Sequence, residues 1–323
     1  MSMRVTTALA LALLTPAAIA AEKAEYPTRP IRLIVPFAPG GSVDISSRIV
    51  AAPLSEILGQ QVVVDNRAGG GGSIGATLVA KGAADGYTLL AGSSGSVTAN
   101  PALYSKLPYD PNRDFAPISM INVTPMAIIT HPSVTVTSVK DLVALARSQP
   151  GKITMASAGT GSSNHLAIEL FQLTSGAKVL HVPYKGSGAA LAELVGGQVQ
   201  TMIDQIASSI GYVRDGRLRI LAVTSLNRSG VLPNVPTADE TGLKGYEAAS
   251  FTGILAPAGT PKPVVDKLHA AVVKAATLPA VTAKFKDMAA DPKTTTPAEF
   301  STFIRNDIAK WKKVTSAANL RLD

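Results

Sequence analysis

Short apolar runs alternate along the chain with stretches in which apolar positions recur every three or four residues. Residues 31–37 (Ile-Arg-Leu-Ile-Val-Pro-Phe) read as a buried strand. The turn Ala38-Pro39-Gly40-Gly41 follows, and then Ile45, Ile49, Ala52 and Leu58 fall near helical spacing, predicting a helix over 43–58. Further strands are predicted at 61–64, 87–91, 126–130, 153–156, 179–182, 201–203 and 218–224. Helices are predicted at 74–80, 139–149, 164–174, 189–195, 263–277 and 297–318. Strands and helices taken in turn, joined by short loops, predict an α/β fold with mostly parallel sheets flanked by helices on both faces. Phe300, Phe303, Ile304, Ile308 and Trp311 share one face of the last helix, which places Trp311 in the core and leaves Lys310, Lys312 and Lys313 in solvent.

Composition narrows the chemistry. The 323 residues are 46% hydrophobic and 16% charged, a globular mix with room for two domains. The absence of cysteine removes disulfides, thiolate nucleophiles and thiolate metal sites together. The net charge of +8 is spread without a block of like charges, and aromatics are only 5%, so a basic face with stacking rings for nucleic acid is not indicated. Mild, dispersed positive charge fits the attraction of small anions.

The first twenty residues read as an export signal. Arg4 precedes an apolar stretch from Val5 to Leu14 that is too short to span a bilayer, and Ala18-Ile19-Ala20 is a small-x-small cleavage site. Cleavage after Ala20 removes Arg4 and lowers the net charge by one, to +7. The expected mature protein is exported and soluble.

Two loops carry candidate binding chemistry. Residues 36–44 (Pro-Phe-Ala-Pro-Gly-Gly-Ser-Val-Asp) join a strand to a helix, and paired glycines let a ligand approach the backbone. The first N–H groups of a helix lack partners within it and attract a carboxylate, worth about 0.3–1 kcal/mol, up to ~2 when partly buried. Residues 156–164 (Ala-Ser-Ala-Gly-Thr-Gly-Ser-Ser-Asn) repeat the arrangement later in the chain. Each loop alone reads first as an ordinary strand–helix turn, and it is the pair that points to binding. Facing each other from two domains, they would suit a small organic anion. A third cluster matches G-x-G-x-x-G at Gly70, Gly72 and Gly75, the basis for an alternative reading as an NAD-dependent oxidoreductase or hydrolase. The acidic residue expected about 20 residues on, at the end of the next strand, is missing there. No catalytic constellation is found: His131, His165, His181 and His269 form no metal-ligating pair, and no G-x-S-x-G elbow occurs. His165 sits in the first turn after the second loop, as a cap or a ligand contact. Ser93 lies in a Gly92–Ser96 turn that faces a cleft or the surface. Asp204 lines a cleft or begins a turn, and Tyr184 offers an aromatic wall.

Several of these segments together resemble one family. They are 26–31 leading into 35–44, 66–69, 85–90, 100–104, 161–171, 181–186, 196–199, 221–225 and 256–261. In that order, and across essentially the whole mature chain, the sequence is similar to the Bug family, the periplasmic solute receptors of tripartite tricarboxylate transporters. The resemblance implies a two-lobed type II periplasmic-binding-protein fold with the ligand cleft between lobes. It implies one discontinuous domain of 21–124 and 251–323 and a second of 125–250. It further implies a non-enzymatic periplasmic receptor, a monomer without metal or cofactor, that binds a small carboxylate and passes it to membrane subunits. The residues it points to are Phe37, Ala38, Gly40, Gly41, Ser42 and Asp44 in the first loop and Ser157, Thr160, Gly161, Ser162 and His165 in the second. Ser93, Tyr184 and Asp204 complete the expected site. Residues 203–211 depart from the family's usual pattern, which leaves the contacts to the far end of the ligand open.

Overall fold

The computed structural model describes residues 25–317 together with 320 and 321, so the expected export signal lies outside the described residues. In its first lobe, β1 (Ile31–Val35) leads to α1 (Ser42–Leu58), β2 (Val62–Asn66), α2 (Ser73–Ala80) and β3 (Thr88–Ser93). A π-helical turn at Ser94–Ala99 runs into the short helices α3 (Asn100–Leu103) and α4 (Pro111–Asp114). The long strand β4 (Phe115–Thr130) then carries the chain across. The second lobe contains α5 (Val139–Ser148), β5 (Thr154–Ser157), α6 (Ser163–Ser175), β6 (Leu180–Pro183) and α7 (Ser187–Val195). It continues through β7 (Thr201–Gln205), α8 (Ile206–Arg214) and β8 (Arg219–Val223). β9 (Ala249–Pro257) returns to the first lobe, which finishes with α9 (Lys262–Ala276), α10 (Pro279–Asp287), β10 (Asp291–Pro292) and α11 (Pro297–Ala317).

The strand order is β2-β1-β3-β9-β4-β7-β5-β6, with β8 and β10 also on β4. Strands β2, β1 and β3 are parallel, as are β6, β5 and β7. β9 and β4 run antiparallel to their neighbours, so the sheet is mixed where the chain crosses between lobes. β4 changes partners along its length: 115–125 pair with β9, while 126–130 pair with β7 and β8. On this switch we propose the division anticipated from sequence, with 125–250 as the second lobe.

Period-two alternation puts a core on each face of each lobe. Ile31, Leu33 and Val35 pack with α1 and α9, while Ile34 and Leu90 pack with α2 and α11. In the second lobe Met126 and Ile128 meet α5 and α6, and Ala127 and Ile129 meet α7 and α8. Trp311, nearly fully buried, joins Ala99 and Leu103 of the first lobe to Leu166 of the second in a small apolar seam.

The sequence reading begins β4 at residue 126, eleven residues late. Pro117, Asn122, Thr124 and Pro125 break the apolar pattern, and the pairing with β9 carries two register shifts. β9 itself was expected only as a crossing segment, and α8 and α10 were not predicted.

Candidate ligand cleft

The first loop is braced from behind. Asp44, buried in the opening turn of α1, accepts the Gly40 N–H at 2.9 Å and Asn66 Nδ2 at 3.0 Å. Arg48 Nε donates to the same carboxylate at 3.0 Å, and Asn66 Nδ2 also donates to the Phe37 carbonyl at 2.9 Å. Burial alone would raise the Asp44 carboxyl, but the hydrogen bonds from Arg48, Gly40 and Asn66 outweigh it and hold the group below its usual range. Gly40 takes φ +84°, a left-handed turn that aims the chain into α1. Gly41, the N-cap, brings no side chain to cap the helix, so no side chain answers its first N–H groups.

The second loop is wired the other way. Ser162 caps α6 by accepting the His165 N–H at 3.3 Å, His165 Nδ1 accepts the Gly161 N–H at 3.2 Å, and Ser157 Oγ accepts the Gly159 N–H at 3.2 Å. The His165 ring stacks on His181 at 4.1 Å and reaches Glu169 at 3.5 Å. His181 Nε2 lies 2.6 Å from Ser157 Oγ, and burial, with His165 adding to it, pushes the His181 imidazole down to about 4.

The two lobes meet around a cavity of about 20 Å³, room for about one water. Phe37, Gly41, Ser42, Val43 and Ser93 form one wall, and Ala158, Ser163, Asn164, Ser187 and Gln205 the other. The Ala38 N–H donates to the Lys185 carbonyl across the gap at 3.1 Å, and Tyr104 Oη donates to the Thr160 carbonyl at 3.3 Å. A side chain begun at Gly188 would meet the Pro39 carbonyl oxygen at 2.1 Å, so only glycine allows this approach. Asp204 lies just behind the second wall, fully buried, accepting from Asn164 Nδ2 and Ser187 Oγ at 2.7 Å each and from Ser208 Oγ at 2.5 Å.

Of the expected residues, Phe37, Gly41, Ser42 and Ser93 line the cavity. Ala38 and Gly40 sit at the lobe contact, and Asp44 and Asp204 stand behind the two walls. Ser157, Gly161, Ser162 and His165 form the internal bonding of the second loop. Thr160 and Tyr184 line a separate groove of about 690 Å³ with Gly69–Gly71 and Ile74. Sequence reasoning did not single out Val43, Ala158, Ser163, Asn164, Ser187 or Gln205 as site residues. Ser187 was findable: β6-Gly186-Ser187 is a fourth strand–glycine–helix junction, and α7, like α1, opens without a side-chain cap. The glycines of the G-x-G-x-x-G match are filled by protein. Cβ atoms at Gly70, Gly72 and Gly75 would come within 3 Å of Ser73, Phe37 and Pro36.

Two α/β lobes joined through long crossing strands, with glycine-lined helix starts meeting at the gap, define the class of bilobal solute-binding proteins. The chain belongs to the tripartite tricarboxylate transporter receptor family, whose model matches residues 46–320. Protein BugT of Bordetella pertussis is 40% identical over 298 residues, 92% of this chain and 91% of that one. The structure of R. palustris Rpa4515 with adipate aligns at TM-score 0.89 and 38% identity, covering 92% and 99% of the two chains. The periplasmic binding protein BugD aligns at TM-score 0.89 and 36% identity, with the same coverage. The family and its solved neighbours are periplasmic solute-binding proteins, not enzymes, and the oxidoreductase or hydrolase reading has no support in them.

Proposed function

We propose that this protein is an exported, periplasmic receptor that captures a small carboxylate between its lobes and delivers it to the membrane subunits of a tripartite transporter. The observation that carries the reading is the uncapped start of α1 at Gly41–Val43, facing the interlobe cavity beside Ser42 and Ser93. Backbone N–H groups held rigid by Asp44 and Asn66 are ready-made donors for a carboxylate oxygen, and the helix dipole adds to their pull. A cavity of water size cannot admit even a four-carbon acid, so the lobes part for entry. A ligand touching both walls then favours the closed arrangement over the open one. The adipate-bound relative supports the ligand class, and the family supports the transporter partner. Among the described residues no helix is long and apolar enough to cross a membrane.

A thermal-shift screen of mono-, di- and tricarboxylates tests the reading. At least one acid should raise the melting temperature in proportion to the logarithm of its concentration. Silence across the whole panel would overturn the assignment.

A further inference from the structure

Two segments that stand out in the sequence, 69–72 and 100–104, meet the second lobe outside the interlobe cavity. Tyr104 Oη donates to the Thr160 carbonyl at 3.3 Å. The same carbonyl oxygen seats against Gly71, where a side chain would begin 2.1 Å from it. One residue on, a side chain at Gly161 would begin 2.5 Å from Asn100 Oδ1 and 2.9 Å from Tyr104 Cε2. Glycine on each side of the gap lets backbone, ring and amide come together. Each half is fixed within its own lobe. Asn100 Nδ2 donates at 3.3 Å to the Gly71 carbonyl and to Tyr109 Oη, and the nearly fully buried Tyr109 gives its proton to the Ser96 carbonyl. On the other side the Gly161 N–H is held by His165 Nδ1. Gly71 follows β2, the outermost strand of the first lobe, whereas the lobes are joined at β9 and β4. Parting the lobes about those two strands carries the glycine turn away from Thr160 and breaks these contacts together.

We propose that Tyr104, Gly71 and Asn100 form, with the Thr160–Gly161 backbone, a latch that shuts the lobes over a bound acid and sets how fast it leaves. This rests on the carboxylate-receptor reading above and adds to it groups that retain the ligand without touching it. Tyr104 is a positioning residue of the closed arrangement. Its contact with Thr160 exists once the lobes have met, so its energy enters the rate of release and not the rate of entry.

The mature chain with the carboxylate giving the largest thermal shift tests this, calorimetry reading affinity and NMR exchange reading the rates. Tyr104→Phe keeps the ring and deletes the hydroxyl. Dissociation should quicken about three- to tenfold, with association held within about twofold and the ligand-free melting temperature unchanged. Gly71→Ala sets a methyl group where the Thr160 oxygen lies and should quicken release further, at least about tenfold. Gly71 has φ +60°, so this variant also loses some stability, which its ligand-free melting temperature reads separately. If it fails to fold, Tyr104→Phe decides alone. Release at the wild-type rate from Tyr104→Phe, or a loss of affinity carried wholly by slower association, overturns the latch and leaves the receptor reading intact. No binding of any carboxylate by the unsubstituted chain removes both.

Discussion

Residues 36–44 and 156–164 are nearly interchangeable as text: strand, glycines, small hydroxyls, helix. Their amides have opposite fates. In the first loop the bracing groups, Asp44, Asn66 and Arg48, hold the backbone from behind and leave the helix start uncapped. In the second, Ser157, Ser162 and His165 consume the N–H groups of Gly159, His165 and Gly161. On the proposed reading the first loop receives the anion, while the side chains of the second bind its own backbone. The second lobe's contribution to the cleft comes instead from side chains of Ser163, Asn164 and Gln205 and from the uncapped start of α7 at Ser187. Glycine content marks a close approach of backbone, and only the placement of cap side chains decides what that backbone is free to bind.

The largest expected effect comes from blocking the meeting of the lobes. Gly188→Val places a side chain against the Pro39 carbonyl only when the lobes close, and Gly188 has no left-handed φ to strain. Ligand affinity should fall at least about a hundredfold, about 2.8 kcal/mol, with the ligand-free melting temperature preserved. Small-angle scattering should find no ligand-induced compaction.

The second loop's rigidity should depend on pH. His181 is held near 4 against 6.5 in the unfolded chain, so protons favour unfolding. Its contribution is complete above about 6.5 and is lost as pH falls toward about 4, on the order of 2–3 kcal/mol across that window. His181→Gln should flatten the melting temperature between those pH values.

The smallest effects separate the loops most sharply. Ser42→Pro deletes one N–H at the first position of α1, where proline fits a helix, and should weaken carboxylate binding about tenfold with Ser42→Ala as control. Ser162→Ala should instead cost about 1 kcal/mol of stability in chemical denaturation and leave binding nearly unchanged.

Much of the frame was legible because its cause is local. β1, α1 and α11 announce themselves through apolar periodicity, as does Trp311 in its buried seam. The first half of β4 was hidden because crossing between lobes places polar residues in a buried strand. Asn122 there donates to Ser46 Oγ at 2.8 Å, a partner 76 residues away in sequence. The binding loops were visible as glycine clusters, but their different wiring was not. Asn66 reaches Asp44 from 22 residues on and His181 reaches Ser157 from 24, distances over which periodicity carries no information. Gln205 and Asn164 became site residues through the folding of β7 against α6, visible only in three dimensions.

The central claim is that the opening amides of α1, and not those of α6, hold the acid group. Amide NMR during titration with the carboxylate giving the largest thermal shift reads this directly. The account predicts strong downfield proton shifts at Ser42 and Val43, with Gly161 and His165 changing little. The reverse pattern, or amides of α1 that never respond, would contradict it.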